Sequence, residues 1–213
     1  RVLADGAANI WITQFTGRDQ AGANFTYVFF SSGGMGARPD KDGISATAFP
    51  SGIQGVPAEI IENVSPLVME RRALVPDSGG PGRHRGGLGQ EMVLSVRTSE
   101  PVVHSAMYDR TKFPALGFAG GKDGGQGEFF LSDGTRPHPK AQYRLLPGQK
   151  VVLRLPGGGG FFPPLERDPE SVRQDVLNGY VSLSAAHDEY GVALTEGLAI
   201  DWQQTERLRR DKS

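Results

Sequence analysis

Apolar and polar side chains alternate along much of the chain, and the alternation predicts strands over residues 9–16 (NIWITQFT), 25–32 (FTYVFFSS), 67–75, 90–96, 102–108 and 150–156. A shorter strand is predicted in GEFFLSDG, residues 127–134, closed by a Ser-Asp-Gly turn. Within 102–108 the two-residue period puts Val102, His104 and Ala106 on one face. Near the C-terminus the period lengthens. In RDPESVRQDVLNG, Asp168 is a helix N-cap, Pro169 takes the first helical position, Glu170 favours the positive end, Val172, Val176 and Leu177 share a face, and Asn178-Gly179 ends the helix. Shorter helices are predicted from Ser184 to Gly191 and from Asp201 onward, and a single turn around Pro57 to Glu62. The expected fold is α+β: mainly antiparallel β with long Gly-rich loops, and short helices gathered at the C-terminal end. A division follows, with residues 1–165 as a β-rich Gly-loop region and 166–213 as a helical segment packed on it.

Four glycine-rich stretches join these elements, at residues 32–43, 76–89, 109–127 and 157–160. The one from Pro76 to Gly89, PDSGGPGRHRGGLG, is flanked by strands and too rich in Gly and Pro for a helix or regular strand. It is a shaped loop carrying Arg83, His84 and Arg85, and the first place to seek function. Its glycines, like those of 32–43, either permit positive φ or let the backbone approach a ligand or a neighbouring chain. The 30 glycines and 15 prolines make about a fifth of the chain, below the roughly 25–30% that marks low-complexity disorder. The hydrophobic fraction of 38% is low for a self-sufficient globule and fits a piece whose remaining interface comes from another chain.

The net charge of −1 supplies no field for a polyanion, so nucleic acid is not expected as a partner. No run approaches the roughly 18 apolar residues of a membrane span, and the start lacks a signal-peptide core, so a cytoplasmic setting is expected. The opening on Arg1 rather than Met is expected of a processed chain or a fragment. With no cysteine, disulfides, thiolate metal sites and a thiol nucleophile are excluded. The sequons at Asn24 and Asn63 are read as chance.

Several familiar sites are absent in their working form. The glycines at 80, 82 and 86 lead into a strand rather than a helix, which rules out a dinucleotide fingerprint. No Lys-Ser/Thr follows Gly157–Gly160, so a P-loop is missing, and no Gly-x-Ser-x-Gly elbow is present. His84, His104, His138 and His187 lie far apart, and no metal site is expected from this chain. His84 sits in a loop, where an imidazole suits a general acid–base group, a solvated histidine or an interface contact. Arg83, Arg85, Arg110 and Lys112 either pair with carboxylate or phosphate oxygens, beside glycine turns that present N–H groups as an anion nest, or fix loops through salt bridges.

Four phrases occur in order: SGGMGARPDKDG, VPAEIIENVSPLVMERRALVPDSGGPGRHRGGLG, DRTKFPALGFAGGKDG and LPGGGGFFPPLERDPESVRQDVLNGYVS. The series resembles the C-terminal part of the hydantoinase B/oxoprolinase family, and ISATAFPSGIQGVP at 44–57 departs from its usual wording. The resemblance implies an ATP-dependent enzyme in which a hydantoinase A-type partner phosphorylates an amide or enol oxygen. The B-type chain then completes hydrolysis of a cyclic amide of hydantoin or 5-oxoproline type, or carboxylation of a ketone; a non-catalytic assembly module is the third reading. On this basis the isolated chain is expected to be inactive and to bind no cofactor by itself. ATP with Mg and a divalent metal are expected in the partner regions, namely the A-type subunit and the N-terminal part of the B-type subunit. The expected catalytic residues are His84, Asp109 and Arg110. Arg83, Arg85 and Lys112 are expected to bind substrate or an anion.

Overall fold

The computed structural model describes residues 2–7 and 10–212; Arg1, and Asn9 at the start of the first predicted strand, lie outside the described residues. Among the described residues eight strands form two antiparallel four-stranded sheets. The first has the order β2 (Asn24–Ser31), β1 (Trp11–Arg18), β5 (Val102–Met107), β7 (Gln142–Leu145). The second has the order β3 (Leu67–Leu74), β4 (Gln90–Val96), β8 (Val151–Arg154), β6 (Glu128–Leu131). Their inner faces share one core, in which Trp11, Phe15 and Phe29 of the first sheet meet Leu94, Phe129 and Leu153 of the second. Strand periodicity carried most of this. The exception is β7, whose QYRL is too short between turn residues to show alternation.

The helices follow the predicted positions. Turn α1 (Ala58–Val64) begins one residue after Pro57, which takes the N-cap position rather than the first helical one. In α2 (Pro169–Leu177) the Asp168 carboxylate accepts from Ser171 N at 3.1 Å, meeting one of the N–H groups that a helix start leaves unpaired. Helices α3 (Leu183–Asp188) and α4 (Trp202–Lys212) follow. A second hydrophobic cluster of Val172, Val181, Ala186, Tyr190 and Val192 lies among these C-terminal elements. No helix among the described residues is long and apolar enough to cross a membrane.

Most glycines of the glycine-rich stretches face neighbouring backbone of the chain itself. The stretches run extended side by side and hydrogen-bond to one another through their backbones. Gly157–Gly160 lies at the centre. Gly158 N donates to Gly87 O at 2.9 Å, while its own carbonyl accepts from Gly80 N at 2.8 Å. Gly34 N donates to Pro156 O at 3.0 Å and Ala37 N to Gly159 O at 2.9 Å. Facing positions advance in steps of three: Gly121 lies against Gly160 and Gly124 against Gly157. That step matches the three residues per turn of polyproline II, in which every third side chain points the same way. The backbone that these glycines approach is therefore the chain's own.

His104 closes the account of the sandwich. It is fully buried, with Nε2 3.1 Å from Tyr108 Oη, which is in turn 3.1 Å from Thr13 Oγ1. Phe15, Tyr143 and Phe129 surround the ring. Burial pushes the imidazole down to about 3. Between the ordinary value of 6.5 and about 3, the unfolded chain takes up a proton that the folded one refuses, so stability falls with falling pH. The expected slope from this group is up to about 1.4 kcal/mol per pH unit. Urea unfolding of wild type and His104→Gln at pH 7 and pH 5 checks it: the wild type loses more stability on acidification than the variant, and equal losses exclude a neutral His104 as the cause.

Candidate functional site

The loop from Pro76 to Gly89 is fixed by charge. The Asp42 carboxylate accepts from both terminal nitrogens of Arg167, at 2.8 and 2.7 Å, and from Arg85 N at 2.7 Å. Arg167 also donates to Asp175 Oδ2 at 2.8 Å and to Arg83 O at 3.0 Å. Arg85 Nε reaches the same Asp175 oxygen at 3.3 Å, and its guanidinium lies over the Tyr180 ring. Burial would raise the Asp42 carboxyl, but the hydrogen bonds from Arg167 and the charges of Arg167 and Arg85 hold it below the usual range. Burial likewise works against the Arg167 charge, and Asp42 and Asp175 more than compensate. This cluster joins residues far apart in sequence, with Asp42 and Arg167 separated by 125 positions.

Of the three basic residues in that loop, only two face solvent. Arg85, expected to bind an anion, is instead buried and held by Asp175 and the Gly86 carbonyl. Arg83 is half-exposed, above the Phe162 ring and 3.9 Å from Glu166. His84 lines an open hollow with Lys41, Arg83, Glu166 and Ser171. Its Nδ1 lies 3.9 Å from Asp42 Oδ1, too long for a hydrogen bond, and Asp42 is already engaged by Arg167. His84 is thus an accessible imidazole without an orienting carboxylate.

The remaining predicted residues lie elsewhere, where β5 leaves the sandwich. Trp11 stacks on Tyr108 at 4.3 Å and donates from Nε1 to Asp109 O at 3.0 Å, so the core itself fixes the chain entering Asp109. Next comes Arg110 in the left-handed region, at φ 58°, a conformation that costs a non-glycine residue on the order of 1–3 kcal/mol. Its carbonyl accepts from Gly127 N at 2.9 Å, and its guanidinium holds the Asp5 carboxylate and the Pro114 carbonyl. Arg110 forms the wall between two open hollows. One, of about 630 Å³, has Leu3, Phe49, Leu116 and Phe118 as its apolar side. The other, of about 480 Å³, includes Asp109, Lys112, Phe113, His138 and Lys140. Lys140 pairs with Asp109, and Phe113 stands 77% exposed at the rim. With Arg110 paired to Asp5 and Lys140 to Asp109, Lys112 beside the exposed Phe113 is the cation this corner offers to an anionic group attached to an apolar body.

The structure therefore splits the predicted residues into a His84–Arg83 hollow and an Arg110 corner with no lining residue in common. Asp5, Phe49, Leu116 and Phe118 at the corner, and Asp42, Arg167 and Asp175 beneath the loop, were not singled out as site residues. Only their types were visible: Asp42 in a stretch read as a connection, Arg167 beside the predicted N-cap and Asp175 within the predicted helix. The expected anion nest is not formed by the central glycines. The amides of Gly157, Gly158, Gly159 and Gly160 donate to Gly125, Gly87, Asp5 and Lys122, so none is left for a phosphate. Among the described residues no three His, Cys, Asp or Glu side chains gather as a metal site. The residues present thus do not fit a nucleotide on the glycine run or a metal ion.

A family model described as hydantoinase B/oxoprolinase matches residues 1–164. A candidate B-type subunit of a D-/L-hydantoinase from Pseudomonas sp. (strain NS671) is 32% identical, over 98% of this chain and 36% of that protein. The acetophenone carboxylase delta subunit of Aromatoleum aromaticum is 28% identical, over 91% of this chain and 34% of that protein. The crystal structure of an ATP-dependent caprolactamase from Pseudomonas jessenii superposes with a TM-score of 0.80 at 28% identity, covering 99% of this chain and 38% of the other. The chain spans about a third of the length of these relatives.

Proposed function

Because the chain belongs to the hydantoinase B/oxoprolinase family, we propose that it is the C-terminal portion of a hydantoinase B-type subunit, in an ATP-dependent enzyme that hydrolyses a cyclic amide of hydantoin or 5-oxoproline type. The observation that carries this reading is the joint one of family membership and the Arg110 corner, where a strained arginine stands beside Lys112 and an apolar wall. Ring opening of a cyclic amide develops negative charge on oxygen and ends in a carboxylate. Arg110 and Lys112 hold that charge, and Asp109 is kept in place by Lys140. His84 and Arg83 line a second hollow that faces a partner. Arg85 acts through its neighbours, as a positioning residue.

In this reading residues 1–165 and 166–213 form one unit that has no turnover alone. A hydantoinase A-type subunit and the N-terminal part of the B-type subunit hold ATP with Mg and the divalent metal, and the enzyme is cytoplasmic. The match to an acetophenone carboxylase subunit over 91% of the chain favours ketone carboxylation as the second reading. In the reconstituted complex, Arg110→Gln is expected to lower kcat/KM by about 10²-fold, the usual effect of removing one charge-stabilising donor, with the fold retained in circular dichroism. Unchanged kcat/KM in that variant removes Arg110 from the site. Label from bicarbonate in the product, rather than ring opening without it, assigns the carboxylase reading.

A further inference from the structure

The two sheets of the sandwich have contrasting outer faces. Across the second, Arg71, Glu91, Arg154, Glu128 and Arg136 form a continuous ladder of ion pairs, at 3.0, 2.6, 3.1 and 3.2 Å, as a solvated face does. Across the first, three cross-strand rows carry no charge on β2, β1 and β5: Phe30–Ile12–Met107, Val28–Gln14–Ser105 and Thr26–Thr16–Val103. Phe30, Val28 and Met107 are 41%, 42% and 52% exposed.

The edges differ in the same sense. Long edge strands normally carry charge, Pro or a bulge that blocks further pairing. Edge strand β3 has all but the proline, with Glu70, Arg71 and Arg72 in succession and a register shift between Met69 and Arg71. Edge strand β2, NFTYVFFS, has eight residues and neither a charge, a proline nor a glycine. Edge strands β6 and β7 have only four residues each.

We infer that the outer face of the first sheet, with the free edge of β2, is an interface for the part of the family polypeptide that this chain does not contain. That part pairs a strand with β2 and lays apolar side chains over Phe30, Ile12 and Met107. The inference rests on the chain acting as one portion of a B-type subunit. This occupant is favoured over a solvated role because an uncharged core and a polar surround mark obligate contacts. It is favoured over a second copy because this fold covers only 38% of the caprolactamase chain it superposes on. A second copy pairing β2 with β2 would extend the sheet and still leave its apolar face in water.

The test places a photo-reactive benzoylphenylalanine at position 30, or at position 136 as a control on the charged face, in the chain expressed in its source cells. After irradiation the attached peptide is identified by mass spectrometry. The expected result is a crosslink from position 30, and none from position 136, to a hydantoinase B-type peptide that lies outside residues 1–213. A crosslink to a peptide within residues 1–213, to an unrelated protein, or to nothing overturns the inference. Val28→Lys with Phe30→Lys is expected to abolish the same association and leave the thermal midpoint of the isolated chain unchanged. A large fall in that midpoint would make these side chains part of the chain's own core. Neither readout uses turnover, so failure of the proposed reaction and failure of this interface are told apart.

Discussion

Gly158→Ala is expected to yield no stably folded protein. A Cβ at this position would lie closer than 3.0 Å to three backbone atoms, Met35 O, Met35 C and Gly36 N, and no rotamer change can move a backbone. The two extended segments have to separate, which strains the Gly158–Gly87 and Gly80–Gly158 hydrogen bonds on either side. Overpacking alone costs about 1–3 kcal/mol, and each buried backbone group left unpaired adds about 1–3 kcal/mol. The sum, on the order of 5 kcal/mol or more, is comparable to the whole stability of many domains. At about 2–4 °C per kcal/mol for a chain of this length, any soluble fraction melts at least about 10 °C lower. Gly197→Ala is the control: its nearest neighbour is Thr195 Oγ1 at 4.0 Å, so the midpoint should stay within about 2 °C. A Gly158→Ala protein that melts like the control would mean the central layer is loosely packed.

That layer also shows where sequence reading stops. Strands and helices announce themselves by periods of two and 3.6, and β4 and α2 sit where those periods and the Asp168-Pro169 start place them. Four consecutive glycines announce only that something needs the space. What needs it is different at each residue: Gly157 faces Ser78, Gly158 faces Met35, Gly159 faces Leu116 and Gly160 faces Pro81. Gly121 and Gly124 meet the centre three positions apart, whereas Gly86 and Gly87 meet Gly158 and Ile44 in succession. The central segment is touched on all sides and needs one everywhere. No local pattern contains the identity of those neighbours, which are set by how four distant segments cross.

The candidate site follows the same division. Arg110 was legible as a charged residue among glycines, but its left-handed backbone and its clamp on Asp5 depend on a partner 105 positions away. The burial of Arg85 has a similar origin. Three adjacent side chains in RHR look equivalent in a sequence, whereas the chain bends at Gly82 and Arg83 before His84 pairs with Phe161, so the three point in different directions. One of them falls beneath the loop, where Asp175 meets it.

Arg167→Met is the second large effect. Arg167 is 5% exposed, and it alone contacts Asp42 and Asp175 together through charge-assisted hydrogen bonds from its guanidinium. Removing it leaves the buried Asp175 with Arg85 as its remaining cation and strips the third-exposed Asp42 of its guanidinium; breaking a buried pair from one side costs about 3–5 kcal/mol. The loss is larger than the pair's net contribution, because most of it is the penalty for stranding charge. Arg167 O also accepts from Arg209 of α4 at 2.6 Å, so the cluster joins the loop at Asp42, the stretch at Arg85 and two C-terminal helices. Chemical denaturation at pH 7 is expected to show that 3–5 kcal/mol deficit. Arg167→Met with Asp42→Asn should recover a substantial share, since Asn still accepts from Arg85 N without carrying charge. The single variant should also gain relative to wild type as the pH falls. In wild type the Asp42 carboxyl is held low, so its contribution is present above the ordinary carboxylate value and is lost as pH falls through the depressed one. Without Arg167 that carboxyl protonates readily and the stranded charge disappears. If the deficit were below about 1 kcal/mol, or the second substitution deepened it, the cluster would be a solvated surface pair and not the brace of this loop.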